Sequence, residues 1–186
     1  MNRVLLILNE GFEEVEAITP IDYLRRAGCV VKTVSTSKSL WVTGSHAIRI
    51  EADALLADEF AHAAMHYDVL LLPGGPGVET LRQKPEVLEL VRRFSVPPLR
   101  LAAICAAPLV LADAGVLKGR TITSFPSAEN ELKAIALAYL SDRVVIDGNL
   151  LTSRGAGTAE EFSLALIAWL ENRELSEAIQ RRIVAR

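Results

Sequence analysis

Residues 98–115 read PLRLAAICAAPLVLADAG. The first half, PLRLAAIC (98–105), is a short, nearly continuous apolar run, the pattern of a strand buried on both faces. The second half, APLVLADAG (107–115), has helical periodicity, a proline that a first helical turn tolerates and a closing glycine. Only Cys105 and small residues separate the two. Ala103, Ala106 and Ala107 allow a sharp turn there, which would lift the Cys105 side chain to the top of a sheet, as in a nucleophile elbow.

The same alternation extends outward. RVLLIL (3–8) reads as a buried strand, and EEVEAITPIDYLRRAG (13–28) as a helix that Pro20 should kink or break. CVVKTVS (29–35) reads as a second strand. Residues 36–66 suggest a hairpin around Gly44-Ser45, then a polar, Ala-rich stretch with some helix. YDVLLLPGG (67–75) is a third strand ending in a glycine turn, and PEVLELVRRF (85–94) is a helix. RTITSF (120–125) is a short strand and SAENELKAIALAYL (127–140) a helix. RVVIDGNLLTSRGAG (143–157) is a hairpin turning at Asp147-Gly148. TAEEFSLALIAWLENRE (158–174) is a helix opened by a Thr158–Glu161 capping box, and an amphipathic helix runs on toward Arg186. Strands alternating with helices require a mainly parallel sheet covered on both faces. Ligand chemistry then gathers beyond the carboxyl ends of the strands. Three features fall there: Glu10–Glu16, Gly74–Gly77 and Cys105.

Composition narrows the class. The 186 residues suit one domain, 1–186, and 51% are hydrophobic with few aromatics. A net charge of −3 gives no reason to expect nucleic acid or an anionic membrane as partner. The apolar run after Met1 is too short for a signal peptide or a membrane span, and two cysteines make no disulfide framework, so a cytoplasmic setting is expected. SRGAG (153–157) fails the dinucleotide fingerprint because Glu160 stands where the last glycine belongs, and no Walker lysine pattern exists.

Cys105 has two readings. It is a buried structural thiol, or it is a nucleophile whose pKa the following helix lowers and whose oxyanion nearby amides hold. Cys29, at the start of a strand, has no turn chemistry around it. His46, His62 and His66 are the only histidines, and none falls at a strand end. His62 and His66 are spaced i, i+4, but no third metal ligand accompanies them. A carboxyl from Glu13, Glu14 or Glu16 is the remaining candidate partner; these residues also read as an acidic helix start. A buried Glu can stay protonated and donate to a thiolate.

Four segments, NEGFEEVEAITPIDYLRRAG, YDVLLLPGG, LAAICAAP and LTSRGAGTAEEF, occur in this order and together resemble the ThiJ/PfpI superfamily, in particular its YajL-like branch. The resemblance spans nearly the whole chain. It implies a flavodoxin-like three-layer α/β/α sandwich, similar to class I glutamine amidotransferases, and a homodimer with the first helix, around Asp22 to Arg26, near its interface. It implies a reactive cysteine at Cys105, an acid at Glu16 and oxyanion-holding amides at Gly74, Gly75 and Ala106, with no metal and no cofactor. Many members carry a histidine where this chain has Phe125, so a Cys–Glu pair, without His, is expected. The implied activity is glyoxalase or deglycase chemistry on methylglyoxal, glyoxal or their protein and nucleotide adducts. The alternative is a redox-sensing stress chaperone whose Cys105 oxidises to sulfinic acid.

Overall fold

The computed structural model describes residues 1–185. In chain order the strands are β1 (Arg3–Leu8), β2 (Val30–Ser35), β3 (Trp41–Thr43), β4 (Arg49–Glu51), β5 (Ala54–Leu55), β6 (Val69–Leu72), β7 (Arg100–Ile104), β8 (Thr121–Ile122), β9 (Ala138–Tyr139), β10 (Val144–Asp147) and β11 (Leu150–Ser153). The helices are α1 (Glu14–Arg26), α2 (Leu56–Glu59), α3 (Ala63–His66), α4 (Val78–Leu81), α5 (Pro85–Phe94), α6 (Pro108–Asp113), α7 (Glu129–Lys133), α8 (Ala159–Leu170) and α9 (Arg173–Arg182).

Seven strands form one sheet in the order β10-β11-β7-β6-β1-β2-β5. All neighbours are parallel except the β10–β11 hairpin, which turns at Gly148 with φ of 56°. Strand β1 shows how the sheet divides two cores. Leu5 and Ile7 point to the face packed by α5 and α6, through Leu90, Phe94 and Val110. Val4, Leu6 and Leu8 point to the opposite face, against Leu24 of α1 and Phe162 and Leu166 of α8. A side-chain period of two, with both faces apolar, requires helices on both sides. The result is the flavodoxin-like, class I glutamine amidotransferase-like sandwich.

The chain leaves β1 toward β2 on one side and returns to β6 on the other. The sheet's topological switch point therefore lies between β1 and β6, where the loops after these strands part and open a crevice. Backbone bonds tie those two loops together: Glu13 N–H to Gly74 C=O at 3.0 Å and Gly77 N–H to Gly11 C=O at 3.0 Å.

Several local expectations are corrected. Helix α1 runs unbroken through Pro20, whose ring is buried, although proline removes one helical donor. The helix expected over 127–140 stops at Lys133; Ala138–Tyr139 instead pairs in parallel with β8, so β8 and β9 form a separate two-stranded sheet. The helix expected over 158–174 divides at Asn172, whose Oδ1 caps α9 by accepting the Leu175 N–H at 2.8 Å. The Thr158–Glu161 capping box does not form. Thr158 Oγ1 donates to the Gly155 carbonyl at 2.8 Å and pairs with Ser153 Oγ at 2.7 Å, while Glu161 binds Arg143 at 2.6 Å. The β3–β4 hairpin does form around Gly44-Ser45, outside the main sheet.

Candidate active site

Cys105 follows directly on β7, in the left-handed region, at φ of 64°. A side chain there is strained by about 1 kcal/mol or more, and the surroundings must hold it. They do so from both directions: Cys105 N–H donates to Ser153 C=O at 2.9 Å, and Phe125 N–H donates to Cys105 C=O at 2.8 Å. The strand-to-helix turn read from the sequence is thus present, and it presents the thiol to a cavity of about 360 Å³ that Glu16, Gly75, Ala106 and Phe125 also line.

Glu16 comes from the first turns of α1 and is fully buried. Its Oε2 accepts the Gly74 N–H at 2.9 Å. Its Oε1 is buried without a hydrogen-bond partner. The carboxyl lies within interaction range of the Cys105 thiol. A carboxylate with one orphaned oxygen is costly in such a place, and a proton removes most of the cost. Burial accordingly pushes Glu16 up to about 7, against the thiol and the Gly74 amide, which stabilise its anion.

The thiol does not follow the expected lowering. Burial first, then the Glu16 charge and hydrogen bond, push Cys105 up to about 12, despite the Gly75 and Ala106 amides directed at its sulfur. Helix α6 has only six residues and cannot offset a neighbouring carboxylate. With Glu16 at about 7 and Cys105 at about 12, the sulfur keeps its proton at neutral pH, and a thiolate forms only where that proton passes to Glu16.

Cys105, Glu16, Gly74, Gly75 and Ala106 are brought together, with one change of role. The Gly74 N–H is committed to Glu16, so this residue orients the acid, while the Gly75 and Ala106 amides face the sulfur. Gly74 also has to be glycine, because a Cβ there would stand 2.5 Å from Cys105 Cβ and 2.7 Å from Glu16 Oε2. Phe125 supplies an apolar rim, half exposed, where a histidine base would otherwise stand.

The sequence reading missed His46. The β3–β4 hairpin carries it to the start of α1, where its Nδ1 lies 3.0 Å from Glu14 Oε2 and 3.6 Å from Glu13 Oε2. Glu13 also lines the Cys105 cavity. No strand-end signal marks His46, because the hairpin lies outside the main sheet. Glu13, Glu14 and His46 are the only group of metal-ligating type that converges among the described residues. His62 and His66 stack on each other at 5.6 Å with no third ligand joining them.

A left-handed cysteine at the end of a parallel strand, facing a buried acid across a switch-point crevice, defines a thiol-bearing α/β sandwich. The chain belongs to the DJ-1/PfpI family, which matches residues 2–169. It is 36% identical to the zebrafish (Danio rerio) Parkinson disease protein 7 homolog over 98% of this chain and 96% of that one. The crystal structure of Drosophila melanogaster DJ-1beta superposes with a TM-score of 0.93 at 37% identity, covering 100% of this chain and 98% of that one. Oxidised Toxoplasma gondii DJ-1 also superposes at 0.93, with 30% identity, over 100% of this chain and 99% of that one. No helix among the described residues is long and apolar enough to cross a membrane.

Proposed function

We propose that this protein is a DJ-1-like carbonyl-stress enzyme, a cofactor-independent glyoxalase or deglycase that acts on small dicarbonyls or their adducts. The observation that carries the reading is the buried Glu16 carboxyl, with one oxygen unpartnered, against a strained, cavity-facing Cys105. Glu16 accepts the Cys105 thiol proton as the sulfur attacks the aldehyde carbon of methylglyoxal, forming a C–S bond and an alkoxide, and it returns that proton to the substrate oxygen. The Gly75 and Ala106 amides hold that oxyanion. Glu16 carries the proton that leaves the former aldehyde carbon to the neighbouring carbon, giving a thioester with an adjacent hydroxyl. Water then hydrolyses the thioester, releasing lactate and restoring the thiol. Carbon oxidation at one position balances reduction at the next, so no external oxidant is needed.

Lactate formation from methylglyoxal by the wild type and by Cys105→Ser tests this directly. Absence of product with the wild type would reject the reading.

A redox-sensing, chaperone-like role in oxidative stress is the second reading. The amides that face the Cys105 sulfur are equally suited to a sulfinate's oxygens, and a relative of the same fold has been obtained oxidised. Selective addition of two oxygens to Cys105 by mild peroxide, without any dicarbonyl turnover, would favour it. Either role fits a homodimer in the cytoplasm. Val15 and Ile18 of α1 and Trp41 of β3 are exposed apolar residues that a second copy would cover. Light scattering at micromolar concentration should give twice the chain mass, and a monomer would reject the dimer.

A further inference from the structure

A second cavity, of about 300 Å³, adjoins the first. Phe125 and Ala156 line both. Gly155 lies at their junction: a Cβ there would be 3.8 Å from Cys105 Sγ and 3.2 Å from the Phe125 ring. A substrate attached at the sulfur can therefore extend past Gly155 into the second cavity.

The charges of the two cavities differ. Glu13, Glu16 and Glu79 line the first. Arg143 and Arg154 line the second. Arg143 is already neutralised, with its guanidinium 2.6 Å from Glu161 and donating to the Gly157 carbonyl at 2.6 Å. Arg154 is different. Its Nη1 is sealed from solvent with no acceptor, and its guanidinium has no hydrogen bond or ion pair within the described residues. A cation half withdrawn from water with its donors unmatched is costly, and a guanidinium fork matches a planar or tetrahedral oxyanion.

We infer that Arg154 anchors an oxyanion, a carboxylate or a phosphate, carried by the substrate that reacts at Cys105. The reactive carbonyl sits among the carboxyls of the first cavity, and the anionic end lies in the second, where the one unneutralised cation of the two linings waits. The natural substrate class is then an anionic carbonyl compound rather than neutral methylglyoxal. This rests on the reading of Cys105 as the nucleophile toward carbonyls, but not on turnover.

The test is alkylation of Cys105 in the full chain on a Cys29→Ser background, using 5-bromo-4-oxopentanoate and its methyl ester. The acid-to-ester rate ratio, divided by the same ratio for free cysteine, should be at least about tenfold, the scale of one charge-assisted contact. Arg154→Gln should bring it to within about twofold of free cysteine. Arg154→Lys, which keeps the charge but loses the fork, should fall between, and it serves alone if the Gln variant does not fold. Acetate and inorganic phosphate, each added against the ester, distinguish the two oxyanions: the one that protects Cys105 in an Arg154-dependent way is the better match. A ratio near that of free cysteine in the wild type, or a raised ratio that neither Arg154 substitution lowers, overturns the assignment. Absence of lactate formation together with an Arg154-dependent acid preference would reject the glyoxalase reading and leave the anion site standing.

Discussion

Glu14 and Glu16 are the same residue type, two positions apart on one helix, both buried, and their pKa values are driven in opposite directions. Successive helical positions advance by 100°, so residues i and i+2 face nearly opposite directions. Glu14 faces the β3–β4 hairpin. Its Oε1 accepts the His46 N–H at 2.8 Å, and its Oε2 meets the His46 ring at 3.0 Å and the Ser45 hydroxyl at 3.1 Å. Burial works to raise it, but the His46 ring and the backbone donors outweigh burial and hold it at about 2. Glu16 faces the sheet's switch point and receives one backbone N–H, so there burial wins. Depth and the number of donors aimed at a carboxylate act together: Glu16 is deeper and has fewer donors, so it titrates higher. One helix thus supplies a structural anion and, in the proposed mechanism, the acid that transfers a proton.

The largest test of this contrast is catalytic. Cys105→Ser should abolish lactate formation. Glu16→Gln should lower it by about 10²–10⁴-fold, the usual worth of a general acid/base. Glu14→Gln should lower it by less than about fivefold. Equal losses in the two Gln variants would erase the distinction.

Each carboxyl is seated against a glycine, which gives a second test. Gly74→Ala forces a Cβ to 2.5 Å from Cys105 Cβ and 2.9 Å from the Ile104 carbonyl, neither of which can swing away. It should cost about 1–3 kcal/mol in a urea melt and remove turnover. Gly44→Ala meets the end of the Glu14 side chain instead. It should loosen the hairpin and leave most of the turnover intact.

Stability against pH sharpens the comparison further. The folded pKa of Glu16 is raised from 4.5 to about 7, so its favourable contribution is complete below pH 4.5 and is lost as pH rises toward 7. The loss is at most about 3 kcal/mol. Glu16→Gln should therefore gain stability on the wild type between pH 5 and 8. Glu14 has the opposite sign. Its folded pKa is depressed, so its contribution is present above 4.5 and fades as pH falls toward 2. Urea melts against the wild type, of Glu16→Gln at pH 5 and pH 8 and of Glu14→Gln at pH 3 and pH 5, check the two slopes.

The smallest expected effect belongs to the other thiol. Cys29 is buried in the α1–α8 core, and burial, then the Glu171 charge, push it up to about 11. Cys29→Ser should change turnover by less than about twofold. Iodoacetamide should label Cys105 first on peptide mass spectrometry, since Cys105 lines a cavity while Cys29 is packed in the core. Labelling of Cys105 should also rise at lower pH in Glu16→Gln than in the wild type, because the neighbouring charge is gone.

Sequence alone determined the alternation of strand and helix and the turn at Cys105, because apolar periodicity marks buried strands and small residues mark a sharp turn. The grouping of Glu16, Gly74, Gly75 and Ala106 with Cys105 followed from the family resemblance; local rules left Glu13, Glu14 and Glu16 as equal candidates. The fate of short segments was not legible in this way. Residues 134–140 have helix-forming composition, yet the Arg120 and Ile122 carbonyls accept from Leu137 and Leu140 and draw that segment alongside β8. Only the tertiary structure decided which glutamate is buried beside the thiol, that the Gly74 amide serves Glu16 rather than an oxyanion, that His46 joins Glu14, and that the Arg154 guanidinium has no hydrogen bond or ion pair among the described residues. The reason is the same in each case. Charge state and hydrogen-bond commitment depend on which donors and acceptors distant segments bring together, and no local pattern in the chain encodes that meeting.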